Sequence, residues 1–137
     1  MKRYGKVFFM AVLAVAMAVI FAGCGNSQKL AEDFDKDSVI EQAKQDITTA
    51  EANDYEGWKA RFSEALQEGV TEDAYAQYLA ILKEKGDFEE FGKAAVTGLN
   101  QNGADYAVVI YVVKHAEGDL QYTIIYDKDM NLMTFTM

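Results

Sequence analysis

The sequence predicts an α+β fold in which three N-terminal helices pack on one face of a curved antiparallel meander of about four strands. Apolar residues recur at helical spacing from Ser38 to Gly86, and after Gly86 the spacing changes to the alternation that is typical of strands. Short loops separate the strand segments, and strands that are joined by short loops run antiparallel. The change of period therefore divides the domain into a helical part and a sheet.

Each predicted helix begins at a residue that can cap it. Ser38 begins a capping box and predicts the start of the first helix. Asp54 can cap a second helix, which we expect to end at Gly69, and Thr71 opens a third helix that ends at Gly86. The apolar stripes of the three helices are Ile40, Ala43, Ile47 and Ala50; Tyr55, Trp58, Phe62 and Leu66; and Tyr75, Tyr78, Leu79 and Leu82.

Four segments after the third helix have the spacing of strands. We expect these strands at residues 91–99, 106–115, 120–126 and 132–137. The second strand is apolar on both faces, which predicts that both of its faces are covered. Three short helices cover only one face, so the outer face either docks on a second copy or an envelope protein, or simply exposes aliphatic side chains.

Residues 1–23 have the layout of a lipoprotein signal peptide. Three basic residues precede an apolar run at 7–22, and Cys24 is the single cysteine. The run is shorter than the about 20 residues of a membrane-spanning helix but suits a signal sequence. We therefore predict cleavage before Cys24, fatty acyl chains such as palmitate attached through its thiol, and a location on the extracytoplasmic face of the cell membrane. An uncleaved anchor and simple secretion are the two alternatives.

The mature chain is predicted to be one acidic domain on a short tether. Residues 24–37 are polar and poor in large apolar side chains, so we expect a lipidated cysteine and a flexible tether there, followed by the domain at 38–137. From Cys24 onward the chain has 10 Lys and Arg residues against 22 Asp and Glu residues, a net charge of −12. Such a charge repels nucleic acids, which we exclude as partners.

The sequence lacks a recognisable catalytic or metal-binding constellation. The mature serines lie in the tether, at a helix cap and inside a helix, without an adjacent base. His115 is the only histidine, and we expect it to be exposed near a turn. Transition metals require clusters of His and Cys, which are absent. The spacing of Asp127, Asp129 and Asn131 fits a turn better than a calcium-binding loop. We therefore expect no metal or cofactor.

Aromatic side chains form the candidate binding site. The mature chain has seven Tyr, five Phe and one Trp residue. Concavities lined by aromatic residues are the usual ligand sites, so we predict a non-catalytic module that binds a small ligand or peptide. Packing in the core is the other role for these residues, and it is the default for the aromatic stripes of the helices. The candidate ligand-binding residues are Trp58, Tyr55, Phe62, Tyr75, Tyr78, Phe91, Tyr111, Tyr122 and Tyr126.

Three segments of the chain resemble a known family. They are Asn53-Asp54-Tyr55-Glu56, Thr71-Glu72-Asp73 and the closing hairpin at residues 122–132. In these segments the chain resembles the nuclear-transport-factor-two-like (cystatin-like) cone superfamily, and within it is similar to a domain-of-unknown-function family of small Gram-positive lipoproteins. The resemblance covers Ser38 to Met137. It implies a sheet wrapped around the helices, a pocket, and dimerisation through the sheet, but no single activity.

The same superfamily includes ketosteroid-isomerase-like enzymes, which place an acidic base and tyrosine donors in the pocket. The residues that would fill those roles here are Asp105, Tyr106, Tyr111, Tyr122 and Tyr126. Asp105 directly follows a predicted turn, where its carboxylate stays hydrated and lacks the burial that a catalytic acid needs. We therefore expect no enzymatic activity, and an isomerase or hydrolase is the less favoured alternative.

Overall fold

The structure, a computed structural model, describes residues 29–137. The predicted signal peptide and Cys24 lie outside the described residues. Helices followed by a four-stranded antiparallel sheet confirm the predicted α+β class. The elements are α1 Lys36–Glu51, α2 Tyr55–Ala60, a 3-10 helix Glu64–Gly69, α3 Glu72–Lys85, β1 Phe88–Gln101, β2 Ala104–His115, β3 Gly118–Tyr126 and β4 Leu132–Thr136.

The sheet is a meander in which strands that follow each other in sequence also pair in space. Its order is β1-β2-β3-β4, and every pair is antiparallel. Asn102 and Gly103 connect β1 to β2 with φ angles of 55° and 82°, the left-handed conformation that a tight two-residue hairpin turn requires. Two register shifts in β1, near Phe88 and after Phe91, mark bulges that bend this strand.

The strand β2 is buried on the face that packs against the helices and partly buried on its outer face, where Tyr106, Ile110 and Val112 are half-buried. Ala107, Val109 and Val113 face the helices and belong to the main hydrophobic core. On the outer face, Val108 packs with side chains of β1 and β3 in a second, smaller apolar cluster, which partly buried neighbours extend. The predicted covering of this outer face by a second copy or another protein stays a prediction.

The first helix begins earlier than the sequence predicts. Asp35 caps α1, because its carboxylate accepts hydrogen bonds from the backbone N–H of Ser38 at 2.9 Å and from the Ser38 hydroxyl at 2.8 Å. The predicted cap, Ser38, therefore lies inside the first turn of the helix. An aspartate and a serine three residues apart can both cap, and the aspartate does so here because its carboxylate reaches the free N–H groups of the first turn.

The second predicted helix is interrupted. The helix α2 is capped by Asp54 as predicted, but it ends at Ala60 instead of continuing to Gly69. The backbone N–H of Leu132 donates to the Arg61 carbonyl at 2.8 Å, and the N–H of Ser63 donates to the Leu132 carbonyl at 3.0 Å. These bonds to the start of β4 use backbone groups that a continuing helix needs for its own hydrogen bonds.

The third helix confirms both of its predicted ends. The Thr71 hydroxyl accepts a hydrogen bond from the Ala74 N–H at 3.1 Å, which caps α3. Gly86 ends it with a φ of 79°, a left-handed conformation that glycine adopts without steric cost. The turn at Gly86 directs the chain into β1, so that the end of α3 and the end of β2 lie close together.

An N-terminal strap, residues 29–34, crosses β1 at Gly98. A Cβ atom on Gly98 would meet the carbonyl oxygen of Lys29, and would lie 3.0 Å from the Cα atom of Leu30. Phe34 is buried, and Leu30 and Ala31 pack against the main core. The structure differs here from the predicted flexible tether, because these apolar side chains bind the segment to the domain.

We expect Gly98→Val to detach the strap, because the new side chain occupies the space of the Lys29 backbone. The free energy of unfolding should fall by about 1–3 kcal/mol, the usual cost of overpacking. Urea unfolding and hydrogen exchange of the strap amides measure the two effects. Ala95→Val, at an exposed position of the same strand, is the matched control. Strap amides that stay as protected in Gly98→Val as in the wild type would contradict the observed packing.

Candidate functional site

A cleft of about 400 Å³ lies at the end of the sheet where β2 finishes. The C-terminal half of α1, the turn between α3 and β1, and the adjoining strand ends form its walls. Most of its walls are apolar, and Glu51 and His115 are prominent among its polar groups. The lining residues are Ile47, Thr48, Glu51, Ala52, Leu82, Gly86, Asp87, Phe88, Phe91 and His115.

His115 is held through both of its ring nitrogens. Its Nδ1 atom lies 2.8 Å from the Gly86 carbonyl oxygen, which only accepts hydrogen bonds, so Nδ1 carries a hydrogen. Its Nε2 atom lies 3.1 Å from Glu51 Oε2. One proton must lie between these two atoms, since two bare acceptors would repel each other. The pair is therefore either imidazolium with carboxylate or imidazole with carboxylic acid, and is neutral overall in both forms.

Two tyrosine hydroxyls continue this network into the core. The Tyr122 hydroxyl donates to Glu51 Oε2 at 2.7 Å. Because its only hydrogen is used in that bond, Tyr122 must accept the hydrogen of Tyr78, whose hydroxyl lies 2.8 Å away. Burial, with a further contribution from the nearby Glu51, raises the pKa of both tyrosines far above their usual range. Both hydroxyls therefore keep their hydrogens. Tyr78 donates to Tyr122, and Tyr122 donates to the Glu51 carboxyl group.

The second oxygen of Glu51 is available to a ligand. Both protein contacts of this carboxyl group are made by Oε2. Within residues 29–137, no donor group binds Oε1. The Glu51 side chain is 12% exposed and lines the cleft. The protein thus fixes the orientation of this group through one oxygen and leaves the other oxygen able to accept a hydrogen bond inside the cleft.

A second buried carboxylate, Asp46, has a structural role. Its side chain is 1% exposed and accepts hydrogen bonds from Arg61 Nε at 2.7 Å, from the Tyr126 hydroxyl at 2.6 Å and from Gln42 Nε2 at 3.2 Å. Arg61 Nη2 also donates to the Met130 carbonyl at 2.6 Å. This network joins α1 to the end of α2, to β3 and to the turn before β4, and none of its members lines the cleft.

Most of the nine candidate binding residues form an aromatic core. Trp58 lies parallel to Tyr78, with ring centroids 6.4 Å apart, and meets Phe62 edge to face at 5.1 Å. Tyr75 packs 5.0 Å from the same indole ring, and Tyr122 is fully buried against Tyr78. Such tilted and edge-to-face pairs fill a protein interior efficiently. These five residues are therefore brought together, but by packing on one another.

The remaining four candidates belong to the same core or pack against it, but they do not form one site. Phe91 lines the cleft and is the one member of the predicted set that does so. Tyr111 packs against Phe91 with ring centroids 5.3 Å apart, Tyr126 donates to Asp46, and half-buried Tyr55 donates to the Val70 carbonyl. The cleft consequently depends on residues that the aromatic stripes did not identify.

Of the residues proposed for an isomerase-like site, Tyr111 and Tyr122 are direct cross-strand partners, and Tyr126 lies in the same core, but Asp105 and Tyr106 lie apart from them. Asp105 accepts a hydrogen bond from Asn100 at 2.8 Å, at the β1–β2 end of the sheet. Tyr106 packs in the outer-face cluster, whereas Tyr111 and Tyr122 lie in the main core on the helix side. These side chains are thus divided between two faces of the sheet.

The polar residues at the base of the cleft were missed or misjudged at the level of sequence. His115 was expected to be exposed, and this expectation is wrong: it is 5% exposed, because the end of α1 and the Gly86 turn cover it. Glu51 follows the apolar stripe of α1 and carries no signal of its own. Asp46 did carry a signal, since an acidic residue beside Ile47 interrupts the buried face of the helix.

Within residues 29–137, no group of three His, Cys, Asp or Glu side chains is arranged to hold a metal ion. None of the helices in this range has the length and apolar character that crossing a membrane requires. The predicted signal peptide lies outside this range.

Comparison with known proteins identifies relatives of the chain. The sequence profile of the family described as "Protein of unknown function (DUF3887)" matches residues 43–135. A protein from Ruminococcus gnavus ATCC 29149 with an NMR structure is 47% identical, with 81% of this chain and 97% of that chain covered and a TM-score of 0.75. No curated protein matches the chain.

We expect the stability of the domain to fall above about pH 10, the ordinary pKa of tyrosine. Burial raises the pKa of Tyr78, Tyr122 and Tyr126 in the folded chain, with nearby carboxylates contributing. The unfolded chain ionises these groups first, so the stabilisation is complete below pH 10 and is lost as the pH rises. Urea unfolding and tyrosinate absorbance, followed from about pH 8 to about pH 11, measure the effect.

A pair of variants checks the assignment of the late-ionising groups. Tyr126→Phe should reduce the tyrosinate signal that appears only on unfolding. Tyr106→Phe, on the outer face, should leave that late signal unchanged. Ionisation of every tyrosine before any unfolding would contradict the buried network.

Proposed function

We propose that this chain, which belongs to the family described as "Protein of unknown function (DUF3887)", is a lipid-anchored, non-catalytic module that binds a small ligand in the cleft beside Glu51 and His115. The family description states no activity, so the proposal depends on the chain's own residues. The observation that carries it is the cleft itself, with a volume of about 400 Å³, mainly apolar walls and a few polar groups. Preformed concavities of this kind are the usual sites of small-molecule binding.

The hydrogen bonds around the cleft favour binding over catalysis. Both ring nitrogens of His115 are occupied, one by the Gly86 carbonyl and one by Glu51. The Tyr122 hydroxyl is also occupied, and its side chain is fully buried. A general acid or base must reach the group that reacts, and neither side chain is free to do so. Glu51 Oε1 is left as the acceptor that a ligand meets.

We also propose a fold type and a cellular location for the domain. We assign the domain to the nuclear-transport-factor-two-like cone type, which the helices on one face of a bulged antiparallel meander support. The basic and apolar residues that precede Cys24 support a lipid anchor on the extracytoplasmic face of the cell membrane. Two acyl chains would hold such a domain durably.

The position of the strap places the cleft far from the proposed membrane anchor. The strap crosses β1 at Gly98, which pairs with Ala107 of β2. His115, at the base of the cleft, lies eight positions further along β2, a distance of about 26 Å along the strand. A chain that is anchored just before the strap therefore presents the cleft at the opposite end of the sheet, away from the attachment point.

Ligand binding is tested on the mature lipoprotein in nanodiscs of zwitterionic lipid, with empty nanodiscs as background. Members of an envelope-metabolite library that bind should lose about tenfold in affinity in Phe88→Ala, because this exposed ring contributes apolar area to the cleft wall. Leu66→Ala, at another exposed apolar residue that does not line the cleft, is the control and should bind as the wild type does. Calorimetry gives the affinities. The proposal fails if no member binds, or if binding is insensitive to Phe88→Ala.

Lipid attachment is tested separately in cells. Mass spectrometry should find a mature N-terminal peptide that begins at Cys24 and carries a diacylglyceryl group. Cys24→Ser should accumulate with its leader intact, because the thiol is the group that is alkylated before cleavage. Ser27→Ala, three residues away, should be processed normally. An unmodified Cys24 thiol, or an intact leader on wild-type protein recovered from the cytosol, would contradict the anchor.

A further inference from the structure

We propose that the cleft takes a small protonated amine on an apolar body, with the ammonium group donating to Glu51 Oε1. This inference rests on the proposed binding function and names the chemical class of its ligand. Three features of the described lining lead to it: the sign of its charged side chains, the free oxygen of Glu51 and the aromatic wall.

The charged side chains that line the cleft favour a cation. Glu51 and Asp87 belong to the lining, which contains no Lys or Arg. The whole chain carries a net charge of −9, and such a field raises the local concentration of cations. Two ammonium groups near the cleft are not part of its lining: that of Lys44 lies 5.8 Å from the ring centroid of Phe91, which is a lining residue, and that of Lys85 lies against Gly118. An anionic ligand would meet the Asp87 carboxylate and the acceptor oxygen Oε1 of Glu51, whose pair with His115 is neutral overall.

The geometry of Glu51 selects a hydrogen-bond donor. His115 and Tyr122 fix the carboxyl group through Oε2, and Oε1 receives no hydrogen bond within residues 29–137. A carboxylate oxygen accepts hydrogen bonds, so a ligand group that binds Oε1 must carry an N–H or an O–H. A charged ammonium donor makes a bond roughly twice as strong as that of a neutral hydroxyl. The orientation is fixed in advance, which reduces the entropy that the ligand must lose.

The aromatic wall suits the same ligand. Phe88 and Phe91 meet at 64° with ring centroids 5.1 Å apart, and Phe88 also stands edge to face on His115 at 6.0 Å. Aromatic faces attract ammonium groups. Because the Lys44 ammonium group already lies 5.8 Å from the Phe91 centroid, the exposed Phe88 ring is the one that we expect a ligand ammonium to contact. Ile47 and Leu82 supply aliphatic surface for the rest of the ligand.

The size of the cleft favours a small molecule. Its volume of about 400 Å³ lies at the lower end of the range of about 300–1,000 Å³ that is typical of small-molecule sites. The space suits a compact amine better than a folded partner or a long peptide. The ligand class is therefore an amphipathic monoamine with one aromatic or aliphatic body.

The test compares three probes that differ only in their polar group: phenylpropylamine, phenylpropanol and phenylpropionate. Affinities are measured by calorimetry on the mature lipoprotein in zwitterionic nanodiscs, with empty nanodiscs subtracted. We expect the amine to bind at least about tenfold more tightly than the alcohol, and the carboxylate to bind most weakly.

Charge-removing variants locate the effect. Glu51→Gln should weaken the amine by about tenfold and change the alcohol by less than about twofold. Glu41→Gln removes the same charge from an exposed position of the same helix and should leave both affinities unchanged. Should Glu51→Gln fail to fold, Asp87→Asn serves in its place, since Asp87 is exposed at the cleft, and should weaken the amine several-fold without affecting the alcohol.

The outcomes distinguish the proposed amine ligand from the proposed binding function. Selective binding of the amine that is lost in Glu51→Gln or Asp87→Asn and kept in Glu41→Gln supports the inference. Equal or tighter binding of the alcohol or the carboxylate, weakened by Phe88→Ala, overturns the amine class and leaves the binding function intact. Amine binding that Glu41→Gln weakens as much as Glu51→Gln also overturns it, since the effect is then one of net charge. Failure of all three probes and of the metabolite library overturns both proposals.

Discussion

The contact between α1 and β3 is the interaction on which the rest of the domain depends. Two carboxyl groups of α1, those of Asp46 and Glu51, each accept a hydrogen bond from a tyrosine of β3, at 2.6 Å from Tyr126 and at 2.7 Å from Tyr122. Unpaired carboxylates are costly to bury, so each must find donors when the helix covers the sheet. The two bonds fix the position of the helix along the strand, and the apolar stripe of α1 then packs on the main core.

The cleft follows from this alignment. Because Glu51 is the last residue of α1, fixing the helix also fixes its carboxyl group at the end of the sheet, beside His115 and the Gly86 turn. The bond from Tyr122 and the contact with His115 use only Oε2. The same constraint that stabilises the helix on the sheet thus leaves one oriented oxygen in a mainly apolar concavity, and this combination carries both the proposed binding function and the proposed amine.

Local signals were sufficient for much of the fold. The caps at Asp54 and Thr71, the stop at Gly86 and the apolar run of β2 depend on near neighbours in sequence, and the structure agrees with each of these predictions. The two errors concern helix ends. One is caused by a contact with a residue that is distant in sequence, and the other by a competing cap nearby. The second helix ends early because Leu132, about 70 positions away, pairs with its continuation. The first helix starts early because Asp35 competes with Ser38 for the same role.

The sequence by itself determined the α+β order, the acidic net charge and the leader-like pattern before Cys24, since each depends only on composition or on residues that are close together in the chain. The tertiary structure alone decided which aromatic side chains became core and which polar groups reached the cleft. Glu51 meets His115 across 64 positions and Tyr122 across 71, and Asp46 meets Tyr126 across 80. An aromatic stripe has the same spacing whether it lines a pocket or fills a core. Only the packing of helix against sheet makes that choice, because burial depends on what the fold brings to the other side.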